Sequence, residues 1–479
     1  MRPEEIARIK LKHNAAIIAP AGHGKTEIIV DLVKATDRKA LLLTHTNAGV
    51  EALKKRLNKK SVDKNKYSLY TIAGFCMIWC NAYPSTAEID KNIGMKDAGF
   101  YQMLYSGAEK IFSHQWARNV LSKSYERVIV DEYQDCIIAQ HHIFLEINKT
   151  LPVIVLGDPL QAIFGWADKL VSWKNIGFEP VDIKTKPWRW KETNPELGEY
   201  LNSIIDVLKP ALDGKIVQFQ IQNIDGCVSK LPASCKRSIF KSIPDLRKYH
   251  TVAFISTTPN EQQAIGRQTG GIFENDEKVD INELFQIAET IDRNNGAITA
   301  KAMCDFLPCI ATHINDELRS YVQHVEQGSF DFRRTKKYPE FGKLLGEIRD
   351  GNDTYSILKL LDWIRKEPAF NIYRRELYYE LCRSLRYSKQ ENITVAEAAT
   401  KIRTLPQLHR SYSQYRFLST RTVLSKGLEF ECVIIDLASK GKKMTATDFY
   451  VAMTRATKMI YILSDQDTLT LQPPLGIDY

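Results

Sequence analysis

Several features that mark whole classes of protein are missing from this sequence. Its nine cysteines include no C-x-x-C pair; Cys76 and Cys80 are four apart, Cys304 and Cys309 five apart. Tight ligand pairs for zinc or an iron–sulfur cluster are therefore absent, and reduced, mostly buried thiols are expected. No apolar run approaches the roughly 18 residues that a membrane span needs. The opening residues, MRPEEIARIKLKHN, lack the apolar core of a signal peptide. Neither an internal repeat nor a low-complexity linker occurs. These absences argue against a disulfide scaffold, a membrane protein and a solenoid. A cytoplasmic protein with no membrane partner is expected.

What the chain does contain is ordinary in amount. Its 479 residues are 44% hydrophobic and 26% charged, enough for a large core and about three or four domains. The formal net charge of +9 suits a nucleic-acid partner without requiring one. Short apolar runs recur as AAIIAP, KALLLTH, RVIVDEY and PVIVLGD, and later as TVAFIST, CVIIDLA and MIYILSD. Such runs, each followed by small or polar residues, read as strands buried on both faces of parallel sheets. They fall in two groups, 15–157 and 252–464, so two α/β domains are predicted. Residues 80–124 and 262–410 lack these runs and read as helical insertions. The predicted layout is a first domain over 1–187 with its insertion at about 80–124, a second domain made of 188–261 and 411–479, and an accessory helical insertion at 262–410.

The stretch IIAPAGHGKTEIIVDLVKA, residues 17–35, carries the first chemistry. It reads as A-x-x-x-x-G-K-T, with Ala19 where glycine is commoner. In the loop of Ala21, Gly22, His23 and Gly24, small residues let backbone N–H groups curl around an anion, and the following helix adds its dipole. Lys25 is placed to reach the β- and γ-phosphates of a nucleotide, and Thr26 to hold Mg²⁺. Further along the same group of strands, VIVDEYQD sets Asp131, Glu132, Gln134 and Asp135 at a strand end. There a carboxylate can hold Mg²⁺ through water, and the next can orient or deprotonate the attacking water. In VLGDPLQAIFGWAD, Gln161 is a candidate γ-phosphate sensor, and Phe164 and Trp166 offer flat surfaces for bases. Taken alone, Trp166 also suits a core position. In YRRELYYELCRSLRYSK, Arg374, Arg375, Arg383 and Arg386 read either as a grip on duplex backbone or as a solvated helix face.

These residues resemble the UvrD/Rep-like superfamily 1 helicases, subfamily 1A, with the family's motifs in the family's order. APAGHGKT resembles motif I, and LTHTNAGVEALKKRL motif Ia. YTIAGF is similar to the next DNA-contacting motif, VDEYQD to motif II and GDPLQAIFGW to motif III. KPWRWKETNPELGEYL resembles motif IV, LSKGLEFECVII motif V and YVAMTRATKMIYIL motif VI. The resemblance implies two RecA-like P-loop domains with ATP in the cleft, and Mg²⁺-dependent hydrolysis coupled to 3′-to-5′ movement on single-stranded or partly duplex DNA. It implies that Arg455 is an arginine finger and Arg189 a second such cation. It further implies that Trp188 stacks on adenine, Glu429 contacts ribose or phosphates, and Thr46, Asn47, Phe75 and Trp166 face DNA. No glutamine precedes Lys25, so the family's adenine-reading glutamine is missing. His45, Ala73 and Val423 or Leu424 stand where the family has other DNA-coupling residues. The compact chain is also similar in layout to the helicase-like subunits of anti-phage systems such as Gabija, which sit beside an OLD-type nuclease. That likeness implies an alternative, an ATPase sensor that activates a nuclease partner.

Overall fold

A computed structural model describes residues 2–90, 99–165, 168–275, 281–293, 295–351, 353–404, 416–436 and 444–477. The first sheet is built from β1 (Asn14–Ile18), β2 (Ala40–Thr44), β3 (Tyr67–Thr71), β4 (Arg127–Val130) and β5 (Val153–Gly157), in the order β1-β5-β4-β2-β3. All four pairings are parallel, with Ala16 opposite Val155 and Leu42 between Ile129 and Leu69. Strands β2, β4 and β5 are buried at every position, as expected where helices cover both faces. On one face, Ile28, Ile29 and Val33 of helix Lys25–Lys34 and Leu53 and Leu57 of helix Asn47–Lys59 pack on Ile17, Leu42, Ile129 and Ile154. The other face is covered by helices Ile72–Ala82, Phe100–Ser113, Gln115–Ser124 and Ile138–Asn148. β3 is the strand the apolar runs did not reveal. Its sequence, YSLYT, is half-exposed along the sheet edge, so nothing selects a continuous hydrophobic run.

The second sheet uses β7 (Val228–Leu231), β8 (Val252–Ser256), β9 (Glu274–Asn275), β10 (Phe417–Arg421), β11 (Phe430–Asp436) and β12 (Ala456–Leu463), ordered β7-β12-β11-β8-β10-β9 and parallel throughout. A separate antiparallel pair joins β6 (Val217–Gln220) to β13 (Thr468–Leu471). The fold is thus two RecA-like parallel-sheet domains. The core of the second is shared by helix Pro195–Leu208 and helix Ala446–Met453, whose Leu197, Leu201, Phe449 and Met453 pack on Val433, Ile435 and Ile460.

The structure moves one boundary. Helix Pro259–Gln268 caps with Thr258 and packs on the sheet, and Glu274 of β9 pairs with Leu418 of β10. The second sheet domain therefore runs to Asn275, not to 261. The helical insertion begins with Ile281–Asp292 and its last described helix is Val395–Thr404. It has a core of its own around Leu307, Phe341, Leu345, Leu360 and Leu381. Its helices start where side chains satisfy the open amides: Asn295 accepts from Ile298 N at 3.1 Å, and Asp353 accepts from Tyr355 N and Ser356 N. Two arginines of the basic stretch make ion pairs within the fold. Arg374, 3% exposed, pairs with Glu283 of the insertion's first helix. Arg375 reaches Glu274 of β9 at 3.2 Å and ties the insertion to the sheet. Among the described residues, no helix is long and apolar enough to cross a membrane.

Candidate nucleotide site between the two sheet domains

Parallel register brings the carboxyl ends of β1, β2, β4 and β5 to one edge, where the glycine-rich loop and the acidic motif meet. Ala19–Gly24 turns from β1 into helix Lys25–Lys34, with Gly22 at φ 72° and Gly24, the residue before the helix, at φ 84°. Gly22 needs its hydrogen for a second reason. A Cβ there would lie 2.5 Å from the ring of Trp190. Among the described residues, the amides of Gly22, Gly24, Lys25 and Thr26 have no acceptor. Four open donors around a helix start are the cradle a nucleotide's phosphates would fill. Lys25 stands over it, with Nζ 2.5 Å from Glu132 Oε1 and 3.3 Å from Asp131 Oδ1, yet it gives neither a well-directed hydrogen bond. Burial pulls its ammonium down, but Asp131 and Glu132 outweigh burial and hold it above the ordinary lysine range.

Both carboxylates follow β4. Glu132 sits at φ 55°, a left-handed conformation rare outside glycine, which turns its side chain toward Lys25. Its second oxygen accepts from Gln134 Nε2 at 2.5 Å, and Gln134 Oε1 accepts from Asp158 N at 3.0 Å. Burial raises Glu132, but Lys25 and then Lys426 outweigh it and keep the group well below the carboxylate range. Asp131 moves the other way, because burial outweighs Lys25. Asp158 binds the loop itself: Oδ2 accepts from Ala21 N at 2.8 Å and from Gln161 Nε2 at 2.9 Å.

The second sheet domain completes the site. Arg455, 2% exposed, donates through Nη2 to Gln161 Oε1 at 3.3 Å and to Thr454 Oγ1 at 3.1 Å, and through Nε to Val451 O at 3.1 Å. Burial draws its guanidinium down to about 10, still charged at neutral pH. Arg189 donates to Thr454 O at 2.6 Å and pairs with Glu429 at 2.8 Å, while its own N–H reaches Gly22 O at 3.1 Å. Trp188 is 55% exposed beside Gly24, with Lys191 Nζ 5.1 Å from its ring centroid. His23, lowered to about 4 by burial and by Arg189, bonds Thr185 Oγ1 at 2.9 Å. The structure therefore gathers Lys25, Asp131, Glu132, Gln161, Arg189, Glu429 and Arg455 in one cleft, with Trp188 at its rim.

Three contributors were not picked out from the sequence. Tyr450, 1% exposed, reaches from the second domain so that its hydroxyl accepts from Ala21 N at 3.2 Å. Trp190 donates Nε1 to Ala456 O at 2.6 Å and wedges between the loop and the second sheet. Lys426 pairs with Asp135 at 2.5 Å, donates to Gln161 O at 2.9 Å and lies 5.4 Å from the Phe164 ring centroid. The only signals for them were their places inside YVAMTRA, KPWRW and LSKGLEF. Asp135 is pushed up to about 6 by burial, against the pull of Lys426. An acid raised in the folded state binds its proton more tightly there than when unfolded. Its contribution to stability is therefore full below about pH 4 and declines as pH rises toward about 6. Asp135→Asn should flatten the fall of Tm over that window, as thermal melts at stepped pH would read.

The nucleic-acid residues fare unevenly. Thr46 is exposed and accepts from Gly49 N at 3.0 Å, which caps the helix that Asn47 begins. Phe164 is partly exposed beneath Lys426. Trp166 lies outside the described residues. Phe75 is corrected: it is 3% exposed and stacks on Phe112, with centroids 5.7 Å apart and planes 5° apart. One turn into helix Ile72–Ala82 it faces the sheet, so it is a core residue and presents no surface to DNA. Phe75→Ala should cost about 3–5 kcal/mol of stability. A melt should show that loss while oligonucleotide affinity of the folded fraction stays unchanged.

Residues 4–166, which hold β1–β5, the loop, both carboxylates and Gln161, match the family described as an AAA domain. The Gabija protein GajB of Bacillus cereus (strain VD045) is 29% identical over 193 residues, covering 33% of this chain and 39% of that relative. The match thus spans well under half of the relative's length. A solved complex of the arterivirus nonstructural protein 10 helicase with DNA aligns over 97% of this chain and 64% of that one, at 10% identity and a TM-score of 0.35. The motif series lies in order along two parallel sheets, with the phosphate loop inside the matched AAA domain, which supports a likeness to the UvrD-like superfamily 1 helicases.

Proposed function

We propose that this chain is an ATP-driven motor that moves along single-stranded DNA, 3′ to 5′, in the cytoplasm. The observation that carries the reading is the bond from Arg455 to Gln161, which joins the two sheet domains across the cleft beside Lys25. Lys25 would exchange its carboxylate partners for the β- and γ-phosphates of ATP. Thr26 and Asp131 would hold Mg²⁺, which when bound offsets phosphate charge. Glu132, kept ionised by Lys25, would take the proton of the attacking water. Arg455 and Arg189 would bring positive charge to the transferring phosphoryl group, and Gln161 would report its presence. Trp188 would stack on the base and Glu429 would meet the ribose or phosphates. Closing on ATP and opening after hydrolysis would move Thr46 and Phe164 relative to the second domain and shift the grip on DNA. Displacement of streptavidin from biotin at either end of an oligonucleotide tests both movement and polarity. Release from the 5′ end only, dependent on ATP, supports the reading; no release from either end rejects the motor.

A second reading has its own support in the relative named as a Gabija protein. In it the same site is a nucleic-acid-sensing ATPase that activates a nuclease partner, of the OLD type, in anti-phage defence. Turnover that appears only when such a nuclease is added would favour this reading over the free motor.

A further inference from the structure

We infer that residues 473–477 form an inhibitory strap across the junction of the two sheet domains. Seated, the strap holds the cleft shut and narrows the groove beside it. Lifted, it lets the domains part and admits an extended strand. The identity of that strand as DNA rests on the proposed motor; the clamp itself does not.

The strap follows β13 and is rooted firmly in the second domain. Gln472 N donates to Met444 O at 3.0 Å, and Ala446 N donates to Gln472 O at 2.8 Å. This root is the start of helix Ala446–Met453, which carries Tyr450 and leads directly into Arg455. Pro473 and Pro474 then project the chain in a stiff, extended form toward the first domain. There Leu170 N donates to Gly476 O at 2.8 Å, and Leu170 bridges Ile477 in parallel. Leu170 also bridges Ile137, at the start of the helix that follows the acidic motif. Gly165, four residues beyond Gln161, meets the strap backbone to backbone. A Cβ on Gly165 would lie 1.7 Å from Leu475 O, and one on Gly476 would lie 2.1 Å from Gly165 O. The strap therefore joins the Arg455 helix to the segment that leaves Gln161, which are the two sides of the cross-cleft bond.

On the first domain Gly476 O takes the amide of Leu170, Ile477 bridges Leu170 and Gly476 packs on Gly165, while the side chain of Leu475 is 55% exposed. The groove beside the strap is a cavity of about 270 Å³ whose lining includes Gly165, Thr257, Arg421, Thr447, Asp448 and Leu475. Hydroxyls and a guanidinium suit a phosphodiester backbone while the Asp448 carboxylate opposes it, and the space is below the roughly 300–1,000 Å³ of pockets that enclose a small ligand. With Leu475 forming one wall, a strand can pass only after the wall moves.

Gly476→Val tests this. The residue sits at φ 69°, where a β-branched side chain is strained, and its added atoms meet Gly165, so the substitution unseats the strap without touching either sheet. Hydrogen exchange on the full chain, without nucleotide or DNA, should rise at least about tenfold at 162–165 and 422–424, and stay unchanged in β4, β5 and β11. Affinity for an oligo-dT strand should rise by about threefold or more. A second variant, Leu170→Cys with Ile477→Cys, should under oxidation fall below wild type in oligo-dT affinity and recover on reduction. Unchanged exchange at 422–424 in Gly476→Val would overturn the clamp. Increased exchange with unchanged or weakened oligo-dT affinity, or an oxidised double variant that binds as well as wild type, would overturn the inhibitory role. If even wild type neither binds oligo-dT nor hydrolyses ATP, the motor reading fails, while the exchange measurement still decides the clamp.

Discussion

Glu132→Gln should give a protein that holds ATP and turns it over about a hundred- to ten-thousandfold more slowly, the range lost when a positioned general base is removed. The amide keeps the shape and the left-handed backbone of Glu132 but cannot accept a proton from water. The structure adds a second expectation. Glu132 is the nearest partner of Lys25, at 2.5 Å, so ATP must displace that ion pair to reach the lysine. With glutamine there, Lys25 keeps only Asp131 at 3.3 Å and is easier to recruit. Nucleotide affinity should therefore hold or tighten as turnover collapses. Single-turnover hydrolysis and a fluorescent-nucleotide titration read the two effects separately. Near-normal turnover would mean that another group activates the water. Slow turnover with equally weakened binding would mean that Glu132 serves the fold of the loop.

Arg455→Ala should lower turnover about a thousandfold or more, the scale of an arginine finger in phosphoryl transfer. Arg455 is almost fully enclosed, and burial leaves its guanidinium cationic. Its planar fork reaches Gln161 from one side and Val451 and Thr454 from the other, which a lysine cannot imitate. Arg455→Lys should consequently recover little of the rate. Because the side chain also satisfies Val451 O, a fall in Tm is expected with alanine. The kinetic split separates the roles: kcat should fall far more than the KM for ATP rises. A collapse of affinity with the rate at saturating ATP preserved would make Arg455 a ground-state binder.

The parts of this fold that were legible in the sequence are those selected locally. β2, β4 and β5 are enclosed on both faces, so selection for apolar residues at every position leaves a visible run. The loop of Gly22–Thr26 is legible for the same kind of reason, since a phosphate cradle needs small residues at fixed spacing before a helix. β3, β6 and β13 left no such trace, because an edge strand or a two-stranded ribbon keeps one side in water. Phe75 was misread because its motif is shared with a DNA-contacting segment, while burial of that ring depends on Phe112, far along the chain. The second sheet's true limit at Asn275 was hidden in two residues of β9, too few to carry a pattern. Cross-cleft partners such as Lys426 with Asp135 and Tyr450 with Ala21 depend on how the domains meet, which no local stretch encodes.

The steady-state rate of ATP hydrolysis by the purified chain, followed as oligo-dT is titrated in, with wild type and Arg455→Ala run side by side, bears on the whole site at once. The proposed motor predicts that the wild-type rate climbs with DNA and saturates, and that Arg455→Ala stays near its floor at every DNA concentration while still binding both ATP and oligo-dT. Equal DNA-stimulated rates in the two proteins, or a wild-type rate indifferent to DNA, would contradict a motor whose hydrolysis is completed by the second domain.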